Sequence, residues 1–159
     1  AHRRHLPRVT ARQYMADDRA QGPTEATAKV GAASVHWRRE GRGPAIVFLH
    51  GFPLSGRTWD GVVAQLRDRF TCYALDLVGL GQSHSACGTD YSSPGQGRAF
   101  QGLLSQLGVE SYALVGNDTG GWIAREVALI DTARGEEVGP SEIRPLAGAT
   151  GVGEPAQDW

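Results

Sequence analysis

The sequence predicts an α/β fold with a mostly parallel sheet flanked by helices. Three observations lead there: continuous apolar runs at residues 45–50 and 71–77, apolar residues at helical spacing between and after them, and glycine-rich turns at the ends of the runs. A short apolar run without alternation suits a strand buried on both faces. Strands that alternate with helices close into a parallel sheet through right-handed crossovers.

The elements follow in order. Residues 27–32 and 34–38 read as two short strands, with a Gly-rich turn at 40–44. Residues 45–50, AIVFLH, form a buried strand that Gly-Phe-Pro ends. Trp59, Val62, Val63, Leu66 and Phe70 recur at helical spacing, and residues 71–77, TCYALDL, give the next buried strand. Phe100, Leu103, Leu104 and Leu107 mark a second helix, closed by Gly108. Residues 111–115 are a strand and 122–130 a helix. Beyond Asp131 the periodicity stops: residues 134–159 contain 8 Gly or Pro in 26, about 31%, in the range of low-complexity segments. The expected organisation is a disordered leader over 1–26, a core over 27–131 and an unstructured tail over 132–159.

The 159 residues amount to one domain. A net charge of -1 gives no reason to expect nucleic acid or an anionic membrane as partner, and no apolar run approaches the ~18 residues of a membrane span. The basic, Arg-rich start has no apolar h-region, which argues against a secretory signal. Lys29 is the only lysine, a skew that reads as coding composition. Two cysteines, Cys72 and Cys87, do not make a disulfide framework, so a reducing cytoplasm is expected. No Cys or His spacing suits a metal, and neither metal nor cofactor is expected.

In a parallel sheet, ligands bind beyond the carboxyl ends of the strands. Three loops fall there: His50-Gly51-Phe52-Pro53, the Asp76–Ser83 segment DLVGLGQS, and Gly116-Asn117-Asp118-Thr119-Gly120-Gly121. The last has the spacing of a nucleophile elbow, where small flanking residues leave the central side chain exposed at the top of the sheet. The Thr119 amide then stands at a helix start, where N–H groups favour negative charge. The plainer reading of Asp118 is a helix N-cap; the other two motifs weigh for the nucleophile. A carboxylate is ionised at neutral pH without a base (unperturbed pKa ~3.9), so it suits attack on a saturated electrophilic carbon.

With strand-HGFP, strand-DxxGxGxS and an aspartate-centred elbow in sequence, the chain resembles the α/β-hydrolase family over roughly residues 28–131. It is similar to the epoxide hydrolase and haloalkane dehalogenase branch. The resemblance implies Asp118 as nucleophile and the backbone amides of Phe52 and Thr119 as an oxyanion hole. The chain would act on a small hydrophobic organic substrate, an alkyl halide or epoxide, through an alkyl-enzyme ester. Candidate substrate-binding residues are His50, Gly51, Pro53 and Trp122, although for Trp122, as for Trp59, a helical stripe also suits core packing. His50 reads as a structural loop residue, Asp76 as a loop organiser, and His36 as a surface residue far from the site. Ser55 and Ser83 read as turn residues, and His84 is a weak base candidate.

The family also needs a histidine to activate water and an acid to orient it, both after the nucleophile. The five histidines here, at 2, 5, 36, 50 and 84, all precede Asp118. The expected fold is therefore a partial α/β-hydrolase fold lacking the lid and C-terminal strands, from a truncated or frameshifted product. Glu126, Asp131, Glu136 and Glu137 are not assigned the acid role. Thr119 stands where dehalogenases commonly carry a halide-binding tryptophan, so the substrate class stays open. So do three readings: a hydrolase by descent, a non-catalytic small-molecule-binding protein of the same fold, and a fragment without a stable fold.

Overall fold

The computed structural model describes residues 23–133 of the 159-residue chain. Six strands and three α-helices occur among them: β1 (Thr24–Val30), β2 (Ala33–Gly41), β3 (Ala45–Leu49), a 3₁₀ turn at Gly56–Trp59, α1 (Asp60–Leu66), β4 (Thr71–Leu75), β5 (His84–Ser85), α2 (Ser93–Gln106), β6 (Tyr112–Gly116) and α3 (Thr119–Ala133). The sheet is mixed, in the order β1-β2-β4-β3-β6, with β5 paired to β2. β3 runs parallel to β4 and β6, whereas β1, β4 and β5 pair with β2 antiparallel.

The order follows from burial. β3 and β4 are the apolar runs, and they take the central places with neighbours on both sides. Alternate residues face opposite ways, so Val47, Leu49, Tyr73 and Leu75 meet Phe100, Leu103 and Leu104 of α2 and Ile123 and Val127 of α3. Phe48 and Cys72 turn to the other face, against Trp59 and Val63. α2 starts where Ser92 accepts a hydrogen bond from the Gly95 amide (3.2 Å) and Pro94 fills its first turn, a favourable N-terminal pairing.

Several boundaries move. β1 begins at Thr24, inside the expected leader, because residues 24–26 complete the antiparallel register with β2 from Trp37 to Arg39. β2 runs on to Gly41, into the first two residues of the expected turn. α3 spans Thr119–Ala133 rather than 122–130, opening at the elbow itself. The remainder of the leader and of the tail, 1–22 and 134–159, lies outside the described residues.

Candidate active site

β3, β4 and β6 are parallel and end together, since Leu49 pairs with Leu75 and with Gly116. Their exits carry the three loops singled out in the sequence. At the end of β6 the chain turns through Asp118, the only non-glycine residue at positive φ among those described (54°). α3 then opens with hydrogen bonds from Gly120 N to Asn117 O and from Gly121 N to Asp118 O, both 2.9 Å. Thr119 is the first helical residue, so its N–H belongs to those without an intrahelical acceptor.

Glycine is required at the flanks. A Cβ on Gly116 would run into the backbone of Gly120 and Gly121, and one on Gly120 would reach within 2.6 Å of His50 O. The turn is packed against the end of β3, which Asn117 N also joins by a 3.2 Å bond to Leu49 O. Across it, the space a Cβ would fill at Gly51 lies 2.9 Å from Asp118 Oδ2. Asp118 and the Gly51–Phe52 loop are thus in contact. The carboxylate is exposed, and among the described residues no α3 amide donates to it. The Thr119 hydroxyl lies 3.5 Å from Oδ2, at the outer limit for a hydrogen bond. Nor is φ 54° the extended conformation of an N-cap. The capping reading has no hydrogen bond behind it.

The second loop turns tightly, with Leu54 N donating to Gly51 O (2.9 Å) and a cis peptide at Phe52–Pro53. Phe52 is 66% exposed. His50 is fully buried: Nδ1 lies 2.8 Å from Gly51 O, and Nε2 accepts the Leu77 amide at 2.9 Å. Its ring holds the loop and has no face left for a ligand, so its candidacy for substrate contact is withdrawn.

The third loop centres on Asp76, 4% exposed. Oδ1 accepts Gly56 N (2.6 Å) and Oδ2 accepts Gln82 N (2.8 Å), with His36 Nδ1 3.0 Å away. Burial works against this carboxylate's charge, but the hydrogen bonds from His36, Gln82 and Gly56 outweigh it and hold its pKa at about 2. Asp76 organises the loop as its sequence position suggested.

Two expectations need correction. His36 is not a surface residue: it is 4% exposed, and its Nε2 lies 2.9 Å from Glu25 Oε1 on β1. Trp122 does not pack in the core. It is 67% exposed, because the buried stripe of α3 runs through Ile123, Val127 and Asp131, one position on. His84 is exposed on β5, which pairs β2 on the β4 side. That puts it two strand spacings from β6, about 10 Å. Asp131 bonds the Tyr112 hydroxyl (2.6 Å) at the far end of β6, and Glu126 pairs with Arg125. Cys72 and Cys87 are free. Among the described residues no helix is long and apolar enough to cross a membrane, and no cluster of His, Cys, Asp and Glu could hold a metal.

Fold and site together define a parallel-centred α/β protein with an acidic strand–turn–helix at its carboxyl edge. The chain belongs to the alpha/beta hydrolase fold family, whose sequence pattern matches residues 44–151. The match runs past Asp131, where the apolar periodicity stops, to residue 151. The chain is 35% identical over 107 residues to haloalkane dehalogenase 2 of Mycobacterium tuberculosis, covering 66% of this chain and 37% of that one. It is 35% identical over 96 residues to the pimeloyl-(acyl-carrier protein) methyl ester esterase of Aeromonas hydrophila, covering 60% and 36%. Among solved structures, an epoxide hydrolase from an endophytic Streptomyces superposes with a TM-score of 0.65 at 27% identity, covering 70% of this chain and 34% of that one. The chain therefore spans about a third of the length of these relatives.

Proposed function

We propose that this chain carries the nucleophile half of an α/β hydrolase that opens a carbon–halogen bond or an epoxide through an ester at Asp118. The observation behind this reading is Asp118 itself: an exposed carboxylate at φ 54°, packed against Gly51 and preceding the first amide of α3. The dehalogenase and epoxide hydrolase relatives give it chemical context. In the first step a carboxylate oxygen forms a C–O bond to the substrate carbon while the bond to halide or epoxide oxygen breaks. Halide leaves as the anion; an alkoxide takes a proton from water. In the second step water adds to the ester carbonyl as a base takes its proton, and the amides of Phe52 and Thr119 bind the resulting oxyanion. Its collapse breaks the acyl C–O bond, releasing the protonated alcohol and the Asp118 carboxylate.

The two steps differ in what they require. Attack by a carboxylate needs no base. Hydrolysis does, and losing general-base assistance costs typically 10²–10⁴-fold. No histidine follows Asp118 in these 159 residues, so this chain is expected to stop at the ester.

Intact-mass analysis after incubation with epichlorohydrin tests the reading. With the exposed Cys87 replaced by serine, one adduct should form, mapped to Asp118 by peptide sequencing and absent in Asp118→Asn. A folded chain that forms no adduct would overturn the nucleophile and favour a binding protein of the same fold. Sustained turnover would mean a base lies elsewhere in the chain.

A further inference from the structure

We propose that His36 is a positioning residue for the Gly51–Phe52 loop: acting through Asp76, it sets where that loop stands against Asp118. The link to catalysis rests on the oxyanion-loop reading above, but the physical coupling does not.

The coupling is a chain of contacts across four segments. Glu25 on β1 meets His36 on β2, His36 meets Asp76 at the exit of β4, and Asp76 takes the Gly56 amide. Gly56 follows the loop by four residues, and His50 precedes it with Nε2 on the Leu77 amide. The loop is therefore tied at both ends to residues 76–77. The Asp76 end is crowded, because Gly81, at φ 55°, sits so close to the carboxylate that a Cβ would collide with it. His36 is also fixed from behind, its backbone N–H donating to Ser83 Oγ (2.9 Å), which donates to Asp76 O (2.8 Å).

Both ring nitrogens of His36 face carboxylates, at 3.0 and 2.9 Å. A neutral imidazole has one N–H, so both contacts are hydrogen bonds only when both nitrogens carry protons. Burial opposes the charge of Glu25, but hydrogen bonds from Gln82 and His36, with Arg57 nearby, keep its carboxyl below the ordinary range. Glu25 is partly exposed and Asp76 buried. The Asp76 contact is the buried one, and it helps hold that carboxylate on the amides of Gly56 and Gln82. Without the ring's donor the carboxylate is less firmly oriented, and its grip on Gly56 and Gln82 loosens.

Hydrogen exchange at the Gly56 and Gln82 amides reads this directly. Asn at position 36 can keep a donor near Nδ1, toward Asp76, whereas Gln can keep one near Nε2, toward Glu25. His36→Gln should speed exchange at both amides about tenfold or more, as for loss of a charged hydrogen bond. His36→Asn should change them little, with Val47 in β3 unaffected in either. Unchanged exchange in His36→Gln, or equal acceleration in His36→Asn, overturns the proposal. If the His36 variants do not fold, Glu25→Gln, which weakens the contact behind the ring at its partly exposed end, decides: exchange at Gly56 and Gln82 should quicken, and unchanged exchange there overturns the proposal. Adduct formation at Asp118 is scored separately: exchange that responds without any adduct sinks only the hydrolase reading, and an adduct without the response sinks only the role of His36.

Discussion

Asp76 and Asp118 are carboxylates at the same edge of one sheet, and their surroundings give them different work. Asp76 is enclosed by the amides of Gly56 and Gln82 and the ring of His36, while Asp118 stands exposed on its turn. For Asp76 the folded pKa, about 2, lies below the ordinary aspartate value of 3.8. Its stabilisation is therefore complete above the unfolded pKa and is lost as pH falls through about 4 to 2. Between about pH 5 and pH 2 this amounts to roughly 2 kcal/mol. In urea titrations Asp76→Asn should be less stable than the parent at pH 5 and lose less on acidification, by about that amount. A parallel loss in both proteins would count against the assigned contacts. At Gly51 the effect is chemical: Gly51→Ala would set a methyl 2.9 Å from Asp118 Oδ2. It should slow adduct formation by an order of magnitude or more and also lower stability, since Gly51 is buried and the methyl would meet Asp118 Cβ at 2.8 Å.

Among the elements, the α3 N-terminus and β6 are the informative pair. Gly120 is where the helix touches the end of β3, and Gly120→Ala would push a methyl into the backbone of Leu49 and His50. Overpacking of this kind costs about 1–3 kcal/mol, read as a lower urea midpoint, and should suppress the adduct as well. β6 pairs with β3 on one side, and among the described residues no strand covers its other side. Such an edge is a template for aggregation. Ala113→Lys, at an exposed position of β6, should lower light scattering on concentration; unchanged scattering would place the sticky surface elsewhere. The strands and the three exit loops were legible because buried strands are continuous apolar runs and turns demand glycine. His36 was not, since its partners Asp76 and Glu25 lie 40 and 11 residues away and meet it only through sheet register. Trp122 misled because α3 is apolar on both sides, and the sequence does not say which stripe meets the sheet.

For the molecule as a whole, the sheet is covered unequally. Among the described residues, one face carries the cluster of α2 and α3, and the other only Phe48, Trp59, Val63 and Cys72 with their partly buried neighbours. Among the same residues β3 and β4 have strands on both sides, whereas β1 and β6 are at the margins. Local opening tracks buried apolar contact and backbone exposure. Amide exchange should therefore be slowest in β3 and β4, faster in β6 and β1, and faster in α1 than in α2. Uniform protection would contradict this ranking, and the absence of protection anywhere would support the third reading, a fragment without a stable fold. The family match beyond residue 133 bears on the same measurement, because residues that cover β6 in a longer chain would slow its exchange.

The conformation of Asp118 has a consequence for experiment and for drift alike. At φ 54° an alanine meets a steric penalty of roughly 1–2 kcal/mol that glycine escapes and that Asn or Asp partly offsets by local hydrogen bonding. Among alanine, asparagine and glycine at this position, Asp118→Ala should thus be the least stable, and a loss of reactivity there would confound chemistry with unfolding. Asp118→Asn keeps shape and backbone preference, which makes it the clean control. Glycine, tolerated by the turn yet inert, is the residue toward which the position would slide once nothing required it to react.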